Sequence, residues 1–265
     1  MMKKLIAVLS FAVLTVGAVA NAGMTPRTGV NGSFHDITYL GSQYGYYNQD
    51  DFQRVCIFCH TPHNAQVNAL APLWNHDPST LPPTQAYAWS APANLPIGFA
   101  ADYLVGPSRL CESCHDGLTA VDSHGPTAGV GTAQGNNNGN HALASVGRYF
   151  GEADLATTHP IGFLYSEAMT NRPGELMDPT TNFFIDTVPD GNTNPDTRNR
   201  ATWTAGTKMI NDTLYGGYVT CASCHEVHNM NNAVNPAPIS GGAAPNYFTW
   251  APEKNSALCL SCHIK

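Results

Sequence analysis

The sequence contains Cys56-Ile57-Phe58-Cys59-His60, in which two residues separate a pair of cysteines and a histidine follows the second cysteine. The same C-x-x-C-H pattern returns as Cys111-Glu112-Ser113-Cys114-His115, Cys221-Ala222-Ser223-Cys224-His225 and Cys259-Leu260-Ser261-Cys262-His263. These motifs use all 8 cysteines of the 265-residue chain. One kind of sulfur chemistry should therefore account for every cysteine.

The C-x-x-C-H pattern is the attachment signature of a c-type haem. Its two thiols form thioethers with the two vinyl groups of one porphyrin, and the adjacent histidine binds the iron as proximal ligand. A redox dithiol, a zinc site, an iron–sulfur cluster or a disulfide scaffold would not need a histidine after every cysteine pair. The sequence therefore predicts four covalent c-type haems, with proximal ligands His60, His115, His225 and His263.

An internal repeat indicates which histidines supply the second axial ligands. The first and third motifs continue as C-H-x-x-H-N, which adds His63 and His228, and the other two motifs lack this extension. A further histidine precedes each extended motif in a related context, in His35-Asp36-Ile37 and in His159-Pro160-Ile161. We therefore read the chain as two copies of a two-haem module. The expected distal ligands of four bis-histidine haems are His35, His63, His159 and His228.

The short spacing within each extended motif restricts which haem each distal histidine can bind. His63 follows His60 by three residues, a contour of about 10 Å when fully extended. That segment cannot pass around a porphyrin edge to the opposite face of the same iron. We therefore expect His63 to bind a different haem from His60, and His228 a different haem from His225. Shared ligands of this kind should hold neighbouring haems close to van der Waals contact.

Other potential iron ligands are assigned to the scaffold. His76, His124 and His141 have no counterpart in the repeat and are not expected to bind iron. Methionine is an alternative axial ligand, but enough histidines are present for every iron. Core packing is therefore the favoured role of the candidate methionines Met169, Met177, Met209 and Met230.

The first residues have the pattern of a secretory signal peptide, which we expect to span residues 1–22. Lys3 and Lys4 precede an apolar run over residues 5–20, and Ala20-Asn21-Ala22 fits the cleavage site. The run is shorter than the ~20 residues that a membrane span needs, and no later segment is apolar enough. Residues 23–265 should form a single tetrahaem domain. Its two modules, about 23–124 and 142–265, are joined by a Gly/Asn-rich loop over residues 125–141.

The composition favours a fold with little regular structure. Charged residues make up 12% of the chain, which excludes a disordered polyelectrolyte, while Gly 24 and Pro 19 dilute the apolar residues. The expected fold class is a multihaem cytochrome c. It should be mostly irregular coil with a few short helices that carry the motifs, little or no sheet, and a core of stacked haems. The net charge of −7 argues against nucleic acid and anionic membrane surfaces as partners.

Two segments outside the haem motifs leave alternatives open. Residues 190–196 resemble the start of a calcium loop but lack its glycine at position six and its acidic residue at position twelve, so a plain turn is favoured. The aromatic residues before the first motif could pack on a porphyrin or form a subunit interface. They are Tyr44, Tyr46, Tyr47 and Phe52. The sequence contains no catalytic triad or phosphate-binding loop, and the chain is not expected to be an enzyme.

The order of these motifs resembles that of a known family. It runs His35-Asp36, Cys59-His60-Thr61-Pro62-His63-Asn64, Leu73-Trp74-Asn75, Cys114-His115-Asp116-Gly117, His159-Pro160-Ile161-Gly162, then the third and fourth motifs. This order is similar to the multihaem cytochromes exported by metal-reducing bacteria, most of all the OmcE-type tetrahaem cytochromes that polymerise into extracellular filaments. The resemblance implies bis-histidine ligation throughout, with one distal histidine donated by a neighbouring subunit. His35, on the N-terminal arm, is a candidate for that role.

Three functions are compatible with four haems. The favoured one is extracellular electron transfer through a filament of copies of this chain, with partner cytochromes and acceptors such as metal oxides or electrodes. The first alternative is a soluble periplasmic electron shuttle with the same haems. The second is a haem oxidoreductase acting on nitrite or hydroxylamine, which would require an open axial position. Seven histidines remain for four irons after the proximal ligands are assigned, so no position needs to stay open.

We expect protein matured by a cytochrome c assembly system to carry four haems that resist extraction with acidified acetone. Mass spectrometry of the intact protein should show the mass of four haem groups, because thioether bonds survive denaturation. Replacing both Cys221 and Cys224 by Ala should remove one haem. The control Ala222→Ser, which keeps both thiols, should retain all four, and a haem that is extracted from either protein would contradict covalent attachment.

Overall fold

The computed structural model describes residues 29–44, 50, 52–63, 65, 71–76, 104–116, 120–122, 155, 158–187, 204–232 and 247–264. Several sequence predictions lie outside these ranges. They concern the leader over residues 1–22, the loop over residues 125–141, residues 190–196, Tyr46, Tyr47, His124, His141 and the side chain of Tyr44. The sixteen cysteines and histidines of the predicted haem sites all lie within the described residues.

The described helices are short, and each C-x-x-C-H motif lies on or at the end of one helical turn. The α-helices are α1 (Ile37–Tyr44), α2 (Pro107–His115), α3 (Tyr165–Asn171) and α4 (Ala257–Cys262). Single 3-10 turns cover Val55–Phe58, Ile210–Thr213, Cys221–Ser223 and Lys254–Ser256. The strands β1 (Phe183–Thr187) and β2 (Thr204–Met209) pair antiparallel as a two-stranded sheet. No helix within the described ranges is long and apolar enough to cross a membrane.

Helix α2 carries the second motif, and its start is determined by two residues. Pro107 occupies the first turn, where its fixed φ suits a helix and its missing N–H costs no hydrogen bond. Gly106 precedes it with φ 57°, in the left-handed region that glycine tolerates. A Cβ at Gly106 would also overlap the ring of Tyr215, so glycine is required there for two reasons.

A recurring backbone pattern joins three of the motifs to a second segment of chain. In the first motif Thr61 N–H donates to Leu73 O at 2.7 Å, and Asn75 N–H donates to Cys59 O at 2.9 Å. These two bonds make an antiparallel bridge between His60 and Trp74. The bridge holds the end of the motif against residues 73–75.

The third and fourth motifs have the same bridge. Glu226 N–H donates to Phe248 O at 2.6 Å and Trp250 N–H to Cys224 O at 3.0 Å. At the fourth motif the bonds run from Ile264 N–H to Glu175 O and from Met177 N–H to Cys262 O, both at 2.8 Å. Leu73 and Phe248, at equivalent places in the first and third bridges, both have positive φ, at 58° and 60°. The repeat seen in the motifs thus extends to backbone conformation.

Among the described residues, Ile185, Ala257 and Leu260 form a small apolar cluster at the fourth motif, and two larger clusters lie near the other motifs. The larger of these two belongs mainly to the second half of the chain and contains Leu104, Leu155, Ile161, Phe163, Tyr165, Ala168, Phe184, Ile210, Val219, Trp250 and Ala251. The smaller contains Ile37, Leu40, Phe58 and Val121. Because Leu104 comes from the first half, the segment before α2 packs into the core of the second half. The halves also meet where Cys221 N–H donates to Ser108 Oγ at 3.1 Å.

Asp36 anchors the start of α1, directly after His35. Its buried carboxylate accepts hydrogen bonds from Gly32 N–H at 2.7 Å and Tyr39 N–H at 2.9 Å. We expect Asp36→Ala to lower the free energy of unfolding by about 1–2 kcal/mol, since the helix loses its N-cap and two donors lose their acceptor. Denaturant unfolding would measure this. The exposed Asp212→Ala is the control, and equal effects in the two variants would contradict a capping role.

Candidate functional site

The eight cysteines form no disulfide, and each motif lies close to the next one along the chain. The Cys111 thiol donates to the sulfur of Cys221, which brings the second and third motifs into contact. Burial raises the pKa of Cys59 to about 11 and that of Cys224 to about 12. Hydrogen bonding from Cys111 lowers the pKa of Cys221 to about 7. Most of these buried thiols are therefore neutral near pH 7, which disfavours a thiolate metal centre.

Backbone carbonyls determine the tautomer of three histidines. The Nδ1–H of His60 donates to Pro72 O at 2.7 Å, and that of His225 donates to Tyr247 O at 2.7 Å. His159 Nδ1–H donates to Pro160 O at 2.8 Å. A neutral imidazole that carries its proton on Nδ1 has its lone pair on Nε2. Each ring is thus prepared to bind a metal through Nε2, as ligating histidines commonly do.

The histidine rings approach one another in three pairs. The ring centres of His35 and His115 are 6.4 Å apart, with ring planes at 90°. Those of His60 and His228 are 6.5 Å apart at 16°. The third pair, His159 and His263, is separated by 6.2 Å at 65°.

These separations fit a metal atom between the rings. A metal–imidazole bond is about 2.0 Å long and the nitrogen lies about 1.2 Å from its ring centre, so two imidazoles bound to opposite sides of one iron have centres about 6.4 Å apart. All three measured separations lie within 0.2 Å of that value. The residues therefore fit a haem iron held by two axial histidines.

Each pair joins one histidine of a C-x-x-C-H motif to one of the expected distal histidines. Two pairs remain within one half of the chain, while His60 of the first half meets His228 of the second. His228 lies three residues after His225 but faces another motif, as the short spacing requires. His35 lies beside His115 of the same chain, although the resemblance had made it a candidate for the ligand donated to a neighbouring subunit.

The fourth proximal histidine has no such partner among the described residues. His225 is exposed, and its Nδ1 is occupied by Tyr247 O, so its Nε2 remains for a ligand. His63, the remaining expected distal ligand, is also exposed. His76, by contrast, is buried and donates from Nε2 to Phe58 O at 2.8 Å, which uses the nitrogen that a haem would need.

Several supporting groups around these histidines were not identified from the sequence. They are the carbonyls of Pro72 and Tyr247, the ring of Phe248 stacked on His35 at 4.7 Å, and the Glu226 carboxylate beside His228. One of them could have been found from the sequence, since Leu73-Trp74-Asn75 directly follows Pro72. The equivalent segment at residues 247–250 shares none of those residue types in register.

Comparison with known protein families and curated proteins does not indicate what these histidines bind. No protein-family model matches the chain, and no curated protein matches it. Within the described residues, no cluster of three or more His, Cys, Asp or Glu side chains could hold a bare metal ion. Six of the histidines instead lie in three pairs.

Burial of His35 and His115 predicts a pH-dependent stability. Burial, with the nearby His115, lowers the pKa of His35 to about 4, and burial, with the nearby His225, lowers that of His115 to about 4. In an unfolded chain both values return to about 6.5. Between pH 6.5 and 4 the unfolded state therefore binds more protons, and stability falls as pH falls.

We expect the free energy of unfolding to decrease by about 5 kcal/mol across this window, with about half of the loss from each histidine. Guanidinium unfolding at a series of pH values would measure it. If these imidazoles were bound to iron, the free energy of unfolding would also decrease as pH falls, because each imidazole takes up a proton only after it leaves the metal. A stability that stays constant from pH 6.5 to pH 4 would contradict the burial of these rings as neutral groups.

Proposed function

We propose that this protein is an electron conduit that carries four covalent c-type haems, each bound by two histidines, and that its copies assemble into an extracellular filament. The observation that carries the proposal is the set of three histidine pairs at 6.2–6.5 Å. Each pair combines a C-x-x-C-H histidine with a histidine that follows from the internal repeat. Zinc or disulfide chemistry gives no reason for such pairs.

The chain's own residues hold and enclose the cofactor in this proposal. The two thiols of each motif would hold the porphyrin through thioether bonds to its vinyl groups. The histidine that ends the motif and one distal histidine would be the residues that hold the iron, each through Nε2. When bound, such haems would pass single electrons as their iron alternates between the ferric and ferrous states. The paired histidines leave no coordination place for a substrate, which favours electron transfer over catalysis.

The two ligand histidines that have no facing ring among the described residues support assembly between copies. His225 and His63 are the proximal and distal ligands left after three pairs are formed, and both are exposed. A neighbouring copy could complete the site if its His63 bound opposite His225. This arrangement favours His63 over His35 as the ligand donated between subunits, because His35 already faces His115.

The location and partners follow from the same proposal. A chain with a cleavable leader would receive its haems outside the cytoplasm and polymerise at the cell surface or beyond it. The electron partners would be other cytochromes and terminal acceptors such as metal oxides or electrodes. The formal charge of −7 disfavours nucleic acid as a partner.

Spectroscopy separates this proposal from a haem enzyme. Absorption and electron paramagnetic resonance (EPR) spectra of the assembled protein should show low-spin haem only, and the reduced protein should not bind carbon monoxide. A high-spin haem that binds carbon monoxide in the assembled protein would favour an oxidoreductase instead.

Replacement of His63 tests the assembly directly. We expect native protein to form filaments by negative-stain microscopy, and His63→Ala to remain monomeric in size-exclusion chromatography while keeping four thioether-bound haems. The matched control is His159→Ala, which opens a haem within one chain and should still polymerise. A wild-type protein that is strictly monomeric would contradict the filament, and the same haems would then serve a soluble shuttle.

A further inference from the structure

Glu226 is a carboxylate placed beside one of the paired histidines. Its Oε1 accepts a hydrogen bond from the His228 backbone N–H at 2.9 Å and lies 3.4 Å from His228 Nδ1. The Glu226 side chain is 15% exposed and that of His228 is 62% exposed, so water reaches this contact mainly from the side of the ring. The backbone bond holds the carboxylate near Nδ1 of the ring, which leaves Nε2 for a metal.

The opposite member of this pair is also polarised. His60 Nδ1–H donates to Pro72 O at 2.7 Å. Both rings of this pair therefore have an oxygen acceptor near Nδ1, and for His228 that acceptor is a charged group.

The pair formed by His35 and His115 has a different environment. His35 Nδ1 is buried and has no hydrogen-bond partner within the described parts of the chain. The ring instead stacks on Phe248 at 4.7 Å. A ring in this setting is a weaker electron donor than one beside a carboxylate.

The first half of the chain lacks the carboxylate at the corresponding place. Thr61 occupies the position of Glu226 in the C-H-x-x-H repeat, and its hydroxyl donates to the carbonyl of His63 at 2.7 Å. The bond therefore goes to the backbone of His63 and leaves its ring unaffected. The carboxylate is a feature of the second half alone.

We propose, on the basis of the haem ligation inferred above, that Glu226 is a positioning residue that lowers the reduction potential of the haem between His60 and His228. A carboxylate at Nδ1 increases electron donation from the imidazole to iron and stabilises the additional positive charge of the ferric state. The haem between His35 and His115, in a buried site with an apolar neighbour, has a higher potential. Of these two haems, the one between His35 and His115 would therefore be reduced first.

The ring planes allow the two haems to be distinguished. The planes of His60 and His228 are near parallel at 16°, and those of His35 and His115 are perpendicular at 90°. Parallel ligand planes separate two of the iron d orbitals in energy and give a rhombic low-spin EPR signal. Perpendicular planes leave those orbitals nearly equal and give a strongly anisotropic signal. A redox titration followed by EPR therefore assigns a potential to each haem.

The test replaces Glu226 by glutamine in the full-length, haem-loaded protein. We expect the rhombic signal to titrate at a higher potential in Glu226→Gln, with the ferrous-to-ferric ratio at fixed potential raised about tenfold, equivalent to about 59 mV for one electron. The strongly anisotropic signal should not move. Glu167→Gln is the matched control, because it removes the same charge from α3, a helix that carries no C-x-x-C-H motif.

The converse variant is Thr61→Glu, which places a carboxylate at the equivalent position beside His63. It should lower the potential of the haem that His63 binds, and it provides the test if Glu226→Gln loses a haem. Unchanged potentials in variants with four bound haems would overturn the role of Glu226 and leave the electron conduit intact. A wild-type protein without covalent haem would overturn the conduit itself.

Discussion

An iron atom bound by two imidazoles requires those rings to face each other across about 6.4 Å. The proposed function and the arrangement of the chain both depend on this constraint. One ring of each pair directly follows a cysteine pair at the end of a helical turn, and in the proposed protein covalent attachment would also hold it in place. The other ring comes from a distant part of the chain, and the packing of the fold places it opposite the first. Short helices and bridges suffice for this purpose, because each needs to orient only a few residues.

The antiparallel bridges explain how such short elements can hold a histidine in one orientation. At the first and third motifs, the bridging segment also supplies the carbonyl that accepts the Nδ1 proton, from Pro72 and from Tyr247. The positive φ of Leu73 and of Phe248 occurs directly after these carbonyls. A residue in the left-handed region turns the chain sharply, and here the turn lies between the Nδ1 acceptor and the bridge. Backbone geometry thus performs a role that metal sites often assign to a carboxylate side chain.

The sequence predicted the histidines of the three pairs because each lies in a motif or its repeat. It did not predict which distal histidine meets which motif, since that depends on how the two halves pack through contacts such as Cys221 with Ser108. The Nδ1 acceptors were not predictable, because every residue has a carbonyl and no residue type marks the one in use. Phe248 was missed because an aromatic residue before a bridge looks like any other core residue. The core of stacked haems remains a prediction.

The pairing of His60 with His228 has a consequence for how the protein is made. If the chain is exported as proposed, it would emerge with its N-terminus first, and the first cysteine pair would be available for haem attachment before His228. A haem bound there would have one axial histidine until the second half folds against the first. A truncated chain would not complete that site and would keep an accessible iron. In the proposed protein, ligation across the two halves would therefore make the spin state of the first haem a report on whether the whole chain was synthesised and folded.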